Sequence, residues 1–276
     1  MTLSVLMAVY HSEKAEHFHR SLQSIWDDQT LKPNQIVLVV DGPIGEELRQ
    51  VVNQWKEKLG TSLCVVENEE NLGLTKSLNK GLQYVNSEYI ARADSDDISL
   101  PSRFELQINY FEQHPDVDIL GGSMQEFNEE NSCLNIRHYP LTHKQAQKYI
   151  VKASPLAHPS VMMRKKIFDE GLRYNEKYRT SQDVALWYDA ILAGFHIANL
   201  NNIILLFRQD DDVFKRRGRA KAWNEFKIYI HGIYKMKGLF TWYYIYPLAR
   251  LAFRMMPDSI IRAIYQSNIR NRMLRN

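Results

Sequence analysis

Four short apolar runs, separated by stretches of helical periodicity, constrain this chain more than any other feature. Residues 4–10 (SVLMAVY), 35–40 (QIVLVV), 62–66 (SLCVV) and 88–93 (EYIARA) are too short for buried helices. They are also too uniformly apolar for a sheet with one wet face. Between them, Phe18, Leu22, Ile25 and Trp26 recur at helical spacing. The segment 46–59 (EELRQVVNQWKEKL) is an amphipathic helix, and a helix over 75–85 sets Leu78, Leu82 and Val85 on one face. Such alternation predicts βαβ units and a parallel sheet covered on both sides. Beyond Pro101, a good first helical residue, the pattern predicts a helix over 102–113, strands at 117–120 and 135–139 and a helix over 143–151. An extended stretch at 158–163, a helix over 183–193 and a strand at 203–207 follow. The expected fold class is α/β: a Rossmann-like, mixed but mainly parallel sheet flanked by helices.

At 276 residues, 45% hydrophobic and 24% charged, the chain can bury a substantial core. Its two cysteines, Cys64 and Cys133, exclude a disulfide scaffold or a four-thiolate zinc site, and both are expected to be reduced and buried. The opening MTLSVLMAVYHSEK reads as a buried strand rather than a signal peptide. No run approaches the ~20 apolar residues of a membrane span. The net charge of +3 conceals an asymmetry: residues 213–276 hold 14 Lys and Arg against Glu225 and Asp258, leaving −9 on the first 212 residues. The expected division is a body over 1–212 and a helical, basic and aromatic tail over 213–276. The tail's positive residues are interleaved with large apolar runs and match no nucleic-acid motif, so no nucleic-acid partner is expected.

Ligands of open α/β sheets sit beyond the carboxyl ends of the strands. Asp94-Ser95-Asp96-Asp97 occupies such an end, after a buried strand and before a Pro-led helix. Three carboxylates within four residues repel one another unless a cation, donors or water compensate. The cluster is either a solvated acidic turn or a site for a hard divalent cation, Mn²⁺ or Mg²⁺, which takes carboxylate and phosphate oxygens. Asp41 also ends a buried strand; it is a capping residue before Gly42-Pro43 or an acceptor for the imide N–H of a uracil-type base. The segment 71–76 (NLGLTK) is a turn and helix start, or a loop closing over a nucleotide with Lys76 supplying positive charge. The chain lacks GxGxxG after a strand, GxxxxGK[ST] and GxSxG, which removes the main support for dehydrogenase, P-loop and hydrolase readings. A DxDx[TV] phosphatase would need aspartates after the first strand, which here ends in Ala8-Val9-Tyr10.

In order, SVLMAVY, VLVVDG, ENLGLTKSLNKGL, YIARADSDDISLPSRFELQ, VDILGG, HPSVMMR, SQDVALW and FKRRG resemble glycosyltransferase family 2, from about residue 4 to 218. The resemblance is to bacterial enzymes of O-antigen, capsule and exopolysaccharide synthesis. It implies a GT-A fold with a nucleotide-binding half (1–100) and an acceptor-binding half (101–212). It also implies inverting hexosyl transfer from a UDP-sugar to a lipid-linked glycan, with Mn²⁺ or Mg²⁺. By resemblance Asp94 contacts the ribose, Asp96 binds the metal that bridges the diphosphate, and Asp183 is the catalytic base. Ala8, Tyr10, Asp41, Asn71, Gly73, Lys76 and Ser95 fall on the nucleotide-sugar side; Asp97, His158, Gln182 and Trp187 fall on the acceptor side. Departures are visible: Ala8 replaces a usual Pro, Gly42 follows Asp41 in place of a second acid, and Gln182 replaces a frequent Glu. Arg208-Gln209-Asp210-Asp211-Asp212 stands where many relatives carry a metal-side His, leaving Asp210 or Asp212 as candidate third ligands. Competing readings are a transferase with a soluble or protein acceptor and a non-catalytic sugar-nucleotide-binding protein; an intact DxDD with Asp183 weighs against the latter.

The tail, read from composition alone, has no acid between Glu225 and Asp258, and it sets Arg250, Arg254 and Arg262 on one helical face. Pro247 and Pro257 are expected to break it into short helices. Basic and aromatic faces of this kind suit an anionic membrane surface. The expectation is a cytoplasmic protein attached peripherally to the inner face of the cell membrane. The alternative is that the aromatic residues pack on the body or on a second subunit.

Overall fold

The structure is a computed structural model that describes residues 1–128, 132–209 and 219–255. The four expected apolar runs form β1 (Leu3–Val9), β2 (Gln35–Val40), β3 (Leu63–Glu67) and β4 (Tyr89–Asp94), interleaved with α1 (Ala15–Ile25), α2 (Glu46–Leu59) and α3 (Leu74–Leu82). They pair in parallel in the order β3-β2-β1-β4. After β5 (Ile98–Ser99) and α4 (Arg103–Gln113) come β6 (Ile119–Phe127), β7 (Cys133–Arg137), α5 (His143–Tyr149), β8 (Met162–Arg164) and α6 (Lys166–Asp169). The described chain ends with α7 (Gln182–Leu192), β9 (Ile197–Arg208), α8 (Arg219–Lys237) and α9 (Ile245–Met255). β8 joins β4 and β6 antiparallel, β9 lies parallel to β6, and the two-residue β5 closes antiparallel on β9. The sheet is therefore mixed, with its parallel half at the amino end.

Alternation along the strands feeds two cores. Val5, Met7 and Val9 of β1 pack with Leu48, Val52 and Trp55 of α2, which recur at helical spacing. Leu6, with Val37 and Val39 of β2, faces Leu78 and Leu82 of α3 and the helices of the carboxyl half.

Several expectations change. β6 runs through Gly121-Gly122 rather than stopping there, because a side chain at Gly121 would lie 2.3 Å from Asn199 Oδ1 on β9. Glycine here permits close approach of two strands and does not mark an end. The stretch 158–163 is not extended throughout: His158–Ser160 forms a 3-10 turn before β8. Cys64 is half-buried and Cys133 exposed, so neither is the buried thiol expected. β7, paired only along β6, is exposed at all five positions.

The carboxyl-terminal helices are present, and α8 is anchored in the body. Ile228, Tyr229 and Ile233 belong to the core that contains α7, and the Tyr188 and Tyr229 rings meet edge to face at 5.9 Å. Pro247 does not break the tail: it is buried in the first turn of α9, where its missing N–H costs nothing. Arg250 and Arg254 share a face as expected, and that face turns inward. Their guanidinium groups pair with buried Glu225 at 2.6 and 2.5 Å, and Arg250 also donates to the carbonyl of Lys152. Among the described residues no helix is long and apolar enough to cross a membrane. Pro257 and Arg262 lie outside the described residues.

Candidate active site

β1, β2 and β4 end side by side, with Ala8 in register with Asp94 on one side and Val39 on the other. Their exit loops and the start of α3 enclose a cleft of about 330 Å³. Ala8, Tyr10, Asp41, Asn71, Gly73, Asp94, Ser95 and Asp96 all line it, together with His11 and Glu13, which the sequence did not suggest. Lys76 is exposed on α3 and is not part of this lining.

One wall is organised by Asp41. Its carboxylate accepts from Asn68 Nδ2 and the Leu72 N–H through Oδ1 (both 2.8 Å) and from the Gly73 N–H through Oδ2 (2.9 Å). Gly42 has φ +85°, and a Cβ there would lie 2.6 Å from the Asn71 nitrogen, so only glycine lets the 71–73 loop close over Asp41. Lys80, a turn beyond Lys76, donates to Asn68 Oδ1 at 2.9 Å and completes the support. Asp41 is thus a buried loop organiser, and with three bonds made it retains limited lone-pair capacity toward the cleft.

The floor is the 94–97 turn. Buried Arg92, inside β4, pairs with Asp94, and Ser21 Oγ of α1 donates to the Asp94 carbonyl at 2.7 Å. Asp97 points away from the cleft into the interior. Its Oδ1 accepts the Arg208 N–H of β9 at 2.9 Å, and Arg208 Nε donates to the Asp96 carbonyl at 3.0 Å. Burial, then the charges of Asp96 and Asp94, push the Asp97 carboxyl well above the usual range, and its Oδ2 has no partner among the described residues. Asp97 therefore anchors the turn, while Asp94 and Asp96 face the cleft. Beneath them Arg103, also fully buried, donates to Ser99 Oγ and the Arg92 carbonyl, and burial lowers its pKa to about 9.

Asp183 is the second residue of α7, outside the cleft lining, and follows Gln182 and Ser181, the last of which adopts a left-handed conformation (φ 59°). Outside glycine such a backbone is strained and marks a constrained position. The preceding segment is tied to α3, whose Gly73 and Leu74 line the cleft: Thr75 Oγ1 donates to the Tyr178 carbonyl and Asn79 Nδ2 to the Tyr174 carbonyl, both at 2.8 Å. Asp183 keeps partial solvent access. Its dense surroundings push its pKa up, opposed by the amides of its own helix start, with a further rise from Glu225 of α8 and a fall from Lys221. His158 is buried, shares a 2.8 Å hydrogen bond with the Tyr174 hydroxyl and is driven to about pKa 3, first by burial and then by Arg92. It is held neutral and belongs to the packing beneath the site. Trp187 is fully buried, edge-on to His158 at 6.1 Å, and Gln182 is buried beside Asp183. Trp187 Nε1 and Gln182 Oε1 lack partners among the described residues.

The donor set suits a hard divalent cation. Asp94, whose carboxylate pairs with Arg92, and Asp96 line the cleft, and among the described residues no three His, Cys, Asp or Glu converge as a closed cage. Such a pair would hold a cation only with water and substrate phosphate completing its ligands. Asp210 and Asp212 lie outside the described residues.

The Glycosyl transferase family 2 model matches residues 4–172, from the first residues of β1 through the strand ends that form the cleft. The chain belongs to glycosyltransferase family 2. It is 35% identical over 271 residues to the amylovoran biosynthesis glycosyltransferase AmsE of Erwinia amylovora, spanning 96% of this chain and 98% of that one. It is 30% identical to the UDP-Gal:alpha-D-GlcNAc-diphosphoundecaprenol beta-1,3-galactosyltransferase of Escherichia coli, over 97% of this chain and 96% of the other. In fold it is similar to S. aureus TarS 1-349 solved with UDP-GlcNAc (TM-score 0.65, 19% identity, 98% of this chain and 74% of that one). It is likewise similar to the mannosyltransferase PcManGT of Pyrobaculum calidifontis solved with GDP-Man and Mn²⁺ (TM-score 0.63, 13% identity, 95% and 78%). These likenesses show a family 2 glycosyltransferase with a GT-A fold.

Sequence reasoning missed Arg92, Arg103, Asn68 and Arg208. Arg92 alone carried a signal, a charged residue inside an otherwise apolar strand, YIARAD.

Proposed function

We propose that this chain is an inverting, metal-dependent hexosyltransferase. It moves a hexose or N-acetylhexosamine from a UDP-sugar to a diphospho-polyprenol-linked glycan of a bacterial surface polysaccharide, while attached peripherally to the inner face of the cell membrane. The observation that carries this reading is the convergence of the Asp41 loop, Asp94 and Asp96 on one cleft at the parallel strand ends; the segment leading to Asp183 is tied to α3 at Tyr174 and Tyr178. The diphosphoundecaprenol substrate in the name of the E. coli relative supports the acceptor class.

In this reading the 71–73 loop, held by Asp41, covers the nucleotide, with Asn71 and Gly73 against it and Lys76 contributing charge from the adjacent turn. Ala8, Tyr10 and Ser95 bound the base and ribose, and Asp94, oriented by Arg92, receives the ribose hydroxyls. Asp96, with Asp94 beside it, would hold Mn²⁺ or Mg²⁺, which neutralises charge on the departing diphosphate. Asp183 removes the proton from the acceptor hydroxyl as that oxygen attacks the anomeric carbon from the side opposite the diphosphate. Its raised pKa brings it closer to the operating pH and strengthens it as a base. Gln182 and Trp187, buried around it, shape the acceptor side, and the neutral His158–Tyr174 pair underlies them. Asp97 acts by anchoring the turn.

The test offers UDP-glucose, UDP-galactose and their N-acetylated forms, with Mn²⁺ or Mg²⁺ and a synthetic diphospho-lipid acceptor, and reads the product by mass spectrometry and anomeric NMR. Transfer with inversion is expected. Retained anomeric configuration would exclude Asp183 as the base, and failure of every UDP-sugar to bind by calorimetry would remove the donor assignment.

A further inference from the structure

The turn between α8 and α9 exposes apolar side chains on a scale found nowhere else among the described residues. Phe240 is 96% exposed, Leu239 and Trp242 64%, Ile245 59% and Leu248 53%. A contiguous apolar edge of this kind marks an interaction surface on a folded chain. It is also held in shape. Tyr244 donates from its hydroxyl to the Gly238 carbonyl at 2.9 Å, closing the turn. Tyr243 and Tyr244 pack against the core, and Trp242 rests on Tyr243 and Tyr246 at 4.5 and 5.5 Å.

We propose that this edge inserts into the interfacial region of a phospholipid bilayer, and that apolar insertion holds it there rather than the arginines of α9. The inference rests on, and deepens, the membrane attachment proposed above. Two observations select a bilayer. Tryptophan and tyrosine crowd the edge, and their amphipathic rings favour the headgroup level. Lys235 and Lys237 end α8 immediately before it, and no acid occurs between Glu225 and Asp258, so the surroundings complement lipid phosphates. Arg250 and Arg254, the cations a sequence reading assigns to the membrane, are committed to Glu225.

The experiment pellets full-length protein with phosphatidylcholine vesicles, with and without 30 mol% phosphatidylglycerol (about that fraction gives a strongly anionic surface), in low salt and in about 1 M NaCl, where the screening length falls to ~3 Å. Binding to anionic vesicles that largely survives high salt is expected. Phe240→Ser with Trp242→Ser should lower partitioning by about tenfold or more, while Lys235→Gln with Lys237→Gln changes it little. Both pairs replace exposed side chains, and UDP binding by calorimetry confirms that each variant is folded. Release of the wild-type protein by high salt overturns the inference, as does unchanged partitioning of the Ser variant. So does a dimer in sedimentation that the Ser pair dissolves. Transfer to a short-chain acceptor in detergent separates the outcomes: transfer without vesicle binding defeats this inference and leaves the proposed activity standing, and vesicle binding without transfer does the reverse.

Discussion

Gly232→Ala distinguishes a tail helix that is packed from one that is merely attached, because the sign of the stability change reverses. In a solvated helix, replacing a mid-helix glycine by alanine stabilises by about 0.5–1 kcal/mol. Gly232 of α8 is buried, and a Cβ there would meet the Tyr188 ring carbons at 2.4 to 2.5 Å, well inside contact distance. The ring has little freedom to withdraw. Tyr188 is 2% exposed, its hydroxyl donates to the Ile150 carbonyl at 3.1 Å, and Tyr229 covers it edge-on. Overpacking a site of this kind costs about 1–3 kcal/mol. Less the propensity gain, a net loss of about 0.5–2 kcal/mol is expected, which lowers Tm by about 1–8 °C in a chain of this size. Thermal and urea unfolding at neutral pH measure it. A rise in Tm would refute the packing of α8 on α7 and with it the placement of Glu225 near Asp183.

Asp96→Ala, or excess EDTA on the wild type, is expected to abolish transfer and weaken UDP-sugar binding; full activity in chelator would remove the metal from the site. Asp183→Asn should lower turnover by about 10²–10⁴-fold with UDP affinity unchanged by calorimetry. Because a base must be ionised, transfer should fail as pH drops through the raised Asp183 pKa, and Glu225→Gln, which removes a neighbouring negative charge, should move that acid limb to lower pH. Buried His158 binds its proton only near pH 3, whereas the unfolded chain does so near 6.5. Stability should therefore be full above ~6.5 and fall below it, by about 2 kcal/mol at pH 5, and His158→Gln should flatten that part of the urea-unfolding profile. Asp41→Ala orphans three donors and should cost about 2–3 kcal/mol, with UDP binding weakened as the 71–73 loop loosens.

The parallel half of the sheet was legible because a strand buried on both faces must be apolar throughout, and QIVLVV and EELRQVVNQWKEKL delimit β2 and α2 to the residue. The place of the acidic turn at the cleft was legible for the same reason, since charge at the end of such a strand stands out. Less legible was which of its three aspartates line the cleft. That depends on Arg208, 111 positions from Asp97, whose backbone draws one carboxylate inward. The tail shows the same limit. Its composition revealed a surface of unusual character, but one buried glutamate, Glu225, decides which way the arginines turn.

The bond between Asp97 and Arg208 also bears on when the protein becomes competent during synthesis. β1 to β4 and their helices are local in sequence, and elements of that kind can collapse while the rest of the chain is still emerging. Closing a loop of some hundred residues comes later, because the ends must find each other before any contact rewards the search. Until β9 arrives, β5 has no partner strand and the 94–97 turn, though held at Asp94 by Ser21 and Arg92, lacks the two Arg208 bonds that fix Asp96 and Asp97. A nascent chain short of Arg208 would possess the walls of the cleft without its fully fixed floor, so, on the donor reading proposed above, UDP binding should report completion of the fold, and a pulse-labelled nascent chain should acquire it only after Arg208 has left the ribosome.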